Sequence, residues 1–86
     1  MIDWVKLHTA LMSSTVTVTF IKADKSERVM NCTLADYLLP DVKGTGRPTP
    51  DHLILVFDLD KEAWRSFKKD SIISVQYDLT GEIEYA

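Results

Sequence analysis

Apolar residues recur at two different periods in the first third of the chain. Trp4, Leu7 and Leu11 stand three and four positions apart, a single stripe that predicts a helix over residues 3–12. Asp3 is placed as its N-cap, and Ser13-Ser14 ends the pattern. A helix this short is marginal alone, so the stripe must lie on another element. From Thr15 the period becomes two. Val16, Val18 and Phe20 point one way and Thr15, Thr17 and Thr19 the other, which predicts a half-buried strand. After the polar Ala23-Asp24-Lys25-Ser26, a second strand over residues 27–34 puts Arg28, Met30, Cys32 and Leu34 on one face.

These two runs predict a hairpin, and a common core requires their apolar faces to coincide. That demands an odd number of loop residues. A three-residue loop pairs Lys22 with Ser26 and Phe20 with Arg28, and places Lys25 at a left-handed position that costs about 1 kcal/mol. A five-residue loop pairs Lys22 with Arg28 directly. In both cases Lys22 and Arg28 lie on the core-side face, at the end where the core runs out.

Pro40, Pro48 and Pro50 with Gly44 and Gly46 break any period, so residues 40–51 are expected to form a mobile loop. The continuous apolar run Leu53-Ile54-Leu55-Val56-Phe57 predicts a third strand buried on both faces, with the helix covering one side. Asp58-Leu59-Asp60-Lys61-Glu62 reads as a turn. Residues 63–68 read as a fourth strand, with Trp64 and Ser66 on one face and Arg65 and Phe67 on the other. A tight bend at Lys69-Asp70-Ser71 leads to a fifth strand over residues 72–77. The acidic end, residues 78–86, is expected to trail away. One helix and five short strands leave no room for parallel crossovers. The predicted fold is mainly β: a five-stranded antiparallel barrel over residues 15–77, preceded by one short N-terminal helix.

Length and composition agree with a single small domain. Eighty-six residues, 45% hydrophobic and 27% charged, support only a thin core. There is no basic start followed by an apolar block, and no run of about 20 apolar residues, so neither a secretion signal nor a membrane span is read. The single Cys32 fits a reducing compartment, and the expected location is cytoplasmic. The net charge of -3 conceals an asymmetry: residues 1–69 sum to +1 and residues 70–86 to -4. A protein that holds nucleic acid by charge alone shows a basic excess, so any anion site here must be local.

Enzyme templates fail against this chain. Lys43-Gly44-Thr45-Gly46-Arg47 has glycines but not the strand-to-helix setting of a phosphate loop. Asp58, Asp60 and Glu62 imitate the start of a calcium loop without its Gly or its final Glu, and a solvated turn explains them better. His8, His52 and Cys32 are too scattered for zinc. Cys32 has no neighbouring His, so a buried thiol fits better than a nucleophile. Trp64 reads as core. No catalytic residue, metal site or cofactor is expected. The positive candidates are strand-borne cations, Lys22, Arg28, Arg65 and Lys68, lying beside Phe20, Cys32 and Phe67. Arg suits a groove because its planar fork grips carboxylate or phosphate with two hydrogen bonds.

Several stretches carry a likeness to a known family. Val16-Thr17-Val18-Thr19-Phe20-Ile21-Lys22, then Glu27-Arg28-Val29-Met30-Asn31-Cys32-Thr33-Leu34, then Trp64-Arg65-Ser66-Phe67 with Asp70-Ser71-Ile72 resemble the small phage-borne WYL-like proteins with an Sm-like SH3 barrel. The likeness spans residues 16–75. It implies a groove for negatively charged ligands, nucleotides or nucleic-acid fragments, lined here by Lys22, Arg28, Cys32 and Arg65, with Lys68 beside them. Two positions depart from the pattern: Asn31 stands where relatives often carry a cation, and Lys25 replaces a turn Gly.

Two functions are therefore expected. The first is a non-enzymatic, phage-type regulatory module whose groove binds an anionic ligand or single-stranded nucleic acid. The alternative is an acidic accessory protein that binds and modulates a host protein through its acidic end, its loop and its strand edges. Self-association through exposed edges is a third, simpler interaction.

Overall fold

The computed structural model describes residues 2–39 and 51–86. The helix, α1 (Trp4–Ser13), starts where Asp3 Oδ1 accepts the Lys6 backbone N–H at 3.1 Å. That cap satisfies one of the donors left over in a first turn. Leu7 and Leu11 are each 1% exposed and form the buried stripe. Trp4 lies higher on the flank and stays partly exposed, with the Lys69 ammonium 5.4 Å from its ring centre.

Strands β1 (Thr15–Ile21) and β2 (Glu27–Thr33) form the expected hairpin. Val16 faces Cys32, Val18 faces Met30 and Phe20 faces Arg28. The loop is the three-residue one. The Lys22 N–H donates to the Ser26 carbonyl at 2.8 Å, and the Lys25 N–H donates to the Lys22 carbonyl at 2.9 Å. Lys25 takes a φ of 69°, the left-handed position where a Gly would be free of Cβ strain. Asp24 accepts from the Ser26 backbone and hydroxyl, fixing the turn from within.

Strands β3 (Leu53–Asp58), β4 (Ala63–Lys68) and β5 (Ile72–Tyr77) follow, with a 3-10 turn at Lys69–Ser71 between the last two. A sixth strand, β6 (Ile83–Tyr85), completes one antiparallel sheet in the order β4-β3-β2-β1-β5-β6. The expectation of five strands and a trailing acidic end is corrected by β6. Gly81, at φ 78°, turns the chain back along β5. The Glu84 carboxylate then accepts the Asp3 N–H at 2.9 Å, and Glu82 pairs with Lys6. Glu84 within this strand accepts the helix-start N–H, and both it and Glu82 just before the strand lie against the Lys6 ammonium, which ties this end of the chain to the helix.

A second correction concerns closure. The sheet curls but does not close, and β4 and β6 remain its edges. The bend falls between β2 and β3, which pair only at Cys32–Asp58 and Thr33–Phe57. Curling brings β4 over β1, where Phe20 and Phe67 stack with ring centres 5.4 Å apart and planes 22° from parallel. The core fills the concave side: Val16, Val18, Met30, Cys32, Val56, Phe67, Ile72, Val75 and Tyr77, capped by Leu7 and Leu11. Only the second half of the apolar run in β3 is fully buried, at Val56 and Phe57; Leu53, Ile54 and Leu55 are half-buried. Trp64 is not core: it lies partly exposed, packed edge-on against Phe57 at 5.5 Å. The loop expected over residues 40–51 falls, except for Asp51, outside the described residues.

Candidate functional site

Strand parity decides what the open end of the curled sheet presents. Phe20 pairs with Arg28 across β1 and β2, and Val56 pairs with Arg65 across β3 and β4. Since Phe20 and Val56 face the core, both guanidinium stems start on the concave side. They meet there. Lys22, Arg28 and Arg65 line one hollow of about 240 Å³, together with Phe20, Ala23, Met30 and Ser66. A larger hollow of about 570 Å³ adjoins it and shares Phe20, Lys22, Ala23 and Ser66. Lys68 and Asp70 line its far part, over an apolar floor of Phe67 and Ile72. A bulge shapes that part: register shifts between Thr19 and Phe20, so that Phe20 pairs with Ile72 and Ile73 is left over.

The two arginines are not equivalent. Arg28 Nη2 donates to Asp58 Oδ2 at 2.8 Å, and its side chain is about a quarter exposed (26%). Asp58 is 0% exposed, and its other oxygen accepts the backbone N–H groups of Asp60 at 2.9 Å and Lys61 at 3.1 Å. Arg28 is therefore held, with part of its charge neutralised. Arg65 is exposed and has no carboxylate or hydrogen-bond partner among the described residues. Lys68 is likewise exposed and unpaired among them. Lys22 is exposed and its charge is felt by Asp24, whose carboxyl lies below its usual range mainly through the Ser26 hydroxyl. Four of the five residues singled out from sequence thus border these two hollows.

The fifth does not. Cys32 is 0% exposed, its thiol donates to the Val16 carbonyl at 3.4 Å, and it lines neither hollow. Burial first, and then the negative charges of Asp58 and Asp78, push its thiol up to about 12. It is a core residue and no part of a groove floor.

Asp58 is the site residue that turn chemistry concealed. Grouped with Asp60 and Glu62, it looked like part of a solvated turn. The informative signal was its place in the alternation Ile54, Val56, Asp58 on the concave face, opposite Cys32. Among the described residues no group of three His, Cys, Asp or Glu side chains could hold a metal ion. Asp60 instead accepts a long bond from Asn31 at 3.4 Å. No helix among the described residues is long and apolar enough to cross a membrane.

The model of the family described as WYL_2, Sm-like SH3 beta-barrel fold, matches residues 4–73. That is most of the chain, and the chain belongs to this family. No curated protein and no solved structure matches it.

Proposed function

We propose that this WYL_2 domain is a non-enzymatic regulatory module of phage type that binds a phosphate-bearing anion at the open end of its curled sheet. The observation that carries this reading is the meeting of Lys22, Arg28 and Arg65 around one hollow, with the Arg65 guanidinium free of any carboxylate among the described residues. A fixed guanidinium beside a free one suits phosphate: Arg28 is already ordered by Asp58, so less side-chain entropy is lost when an anion arrives. The chain is acidic overall, so attraction is confined to this end of the molecule and binding is expected to weaken steeply with salt.

Binding to a host protein through the acidic end draws less support. Asp78 accepts from the hydroxyls of Thr15 and Thr17, and Glu82 and Glu84 are engaged by Lys6 and the Asp3 N–H, so these carboxylates already serve the fold.

The test is titration with inorganic phosphate and short single-stranded DNA at low salt, followed by tryptophan fluorescence or calorimetry. The expected result is saturable binding that Arg65→Ala weakens at least about tenfold, one charge-assisted contact being worth about 1.5–3 kcal/mol. Absence of any response up to millimolar ligand, or binding indifferent to both Arg28→Ala and Arg65→Ala, rejects the reading.

A further inference from the structure

The helix covers β3 only in part, and the reason lies in where α1 is tied down. Its C-terminal end is fixed to the end of β2: the Leu11 carbonyl accepts the Leu34 N–H at 2.9 Å, and the Thr33 hydroxyl donates to the Ser14 carbonyl at 2.7 Å. Its N-terminal end is fixed to β6, where Glu84 accepts the Asp3 N–H at 2.9 Å. Neither tether runs to β3, so the helix is held short of Leu53, Ile54 and Leu55, which stay half-buried. Between helix and strand lies a cavity of about 300 Å³, floored by the buried Leu7 and Leu11 with Leu34 and Ile54. It shares no lining residue with the two hollows at the open end of the sheet.

Among the described residues, only Trp4, His8 and Lys69 bring polar side-chain atoms to this wall, and no carboxylate does. Lys69 is held in place there. Its backbone N–H donates to the His52 carbonyl at 2.9 Å, and its ammonium lies 5.4 Å from the Trp4 ring centre. No carboxylate pairs with it among the described residues. A cation over an aromatic face, at the mouth of an aliphatic cavity, suits a ligand with a long apolar body and one anionic end.

We propose that this cavity binds a free aliphatic carboxylate, its chain on the leucines and its head at Lys69. About 300 Å³ is twice the roughly 150 Å³ that holds one benzene ring, which sets the chain at about ten carbons. Each buried methylene adds about fourfold to affinity, and the gain stops once the chain outgrows the wall.

Calorimetric titration of the full chain at neutral pH with hexanoate, octanoate, decanoate, dodecanoate and octan-1-ol tests both ends. Affinity is expected to rise about fourfold per methylene up to decanoate, and by less than about fourfold in total from decanoate to dodecanoate. Octanoate is expected to bind at least about tenfold tighter than octan-1-ol. Lys69→Met, which keeps the apolar stem, should remove that advantage and leave octan-1-ol unchanged. Arg65→Ala should leave decanoate binding unchanged. Circular dichroism checks that both variants fold as the parent does. No saturable binding of decanoate up to about 1 mM overturns the proposal. So does an unbroken fourfold rise through dodecanoate, which marks loose adsorption to apolar surface. Equal binding of acid and alcohol, or indifference to Lys69→Met, refutes the head at Lys69. Loss of decanoate binding in Arg65→Ala moves the ligand to the cation hollow and overturns the cavity. A protein that ignores decanoate and sediments as a dimer has its cavity covered by a second copy instead.

Discussion

Removing both members of the Arg28–Asp58 pair is expected to damage the fold less than the sum of the damage from removing each alone. Asp58 is wholly out of water and accepts from Arg28 at 2.8 Å and from two backbone N–H groups of its own turn. Asp58→Ala removes a charge-assisted bond worth about 1.5–3 kcal/mol. It also frees the Asp60 and Lys61 N–H groups, which lie in an exposed turn and can reach water, adding about 1 kcal/mol. The total of about 2.5–4 kcal/mol is a large share of the roughly 5–15 kcal/mol that holds a native domain. Arg28→Met keeps most of the apolar stem but leaves a buried carboxylate with only the two turn donors, at about 2 kcal/mol. The double variant strands neither charge, so the two costs should overlap by about 1.5–2.5 kcal/mol. Urea unfolding of the four proteins, followed by tryptophan fluorescence, measures this coupling. Thermal midpoints give an independent check at about 4–8 °C per kcal/mol for a chain of this length. A coupling below about 0.5 kcal/mol would refute the reasoning, because it is what a water-screened surface pair gives.

Lys25→Gly should raise stability by up to about 1 kcal/mol, since Lys25 holds a φ of 69° and Gly adopts it without Cβ strain; an unchanged urea midpoint would contradict this. Cys32 should resist a thiol reagent at pH 8 in the folded protein and react at once in urea, because burial suppresses its thiolate; prompt labelling of the native state would show the thiol is accessible. The Glu84 carboxyl is held below the usual glutamate value of 4.5, chiefly by the Asp3 N–H, with the nearby Lys6 ammonium adding to it. A depressed carboxyl lends stability above its unfolded value that is lost as pH falls through its folded one, so stability should decline below about pH 4.5. Glu84→Gln should flatten that acid limb in urea titrations run from pH 6 to pH 3.

The chain's periodicities alone determined the first helix, its Asp3 cap, the hairpin and its odd loop, and the positions along the chain of the first five strands. Period and capping are local, and a one-residue slip in the hairpin would have turned Met30 and Cys32 away from the core. The same parity placed Lys22 and Arg28 on the core-side face, whereas Arg65, read as lying opposite a core Trp64, joined them only through its pairing with Val56. What the periodicities could not decide was distance. The short β2–β3 pairing curls the sheet and carries β4 over β1; without that bend Arg65 would have no neighbour on β1. The roles of Asp58 and Cys32 also waited on packing, because a turn-like acid and a core thiol look the same in sequence whether they face a groove or the interior. Strand β6 escaped for a related reason. Its stability comes from Lys6 and Asp3, residues from the other end of the chain, and no short-range pattern records a bond between such distant positions.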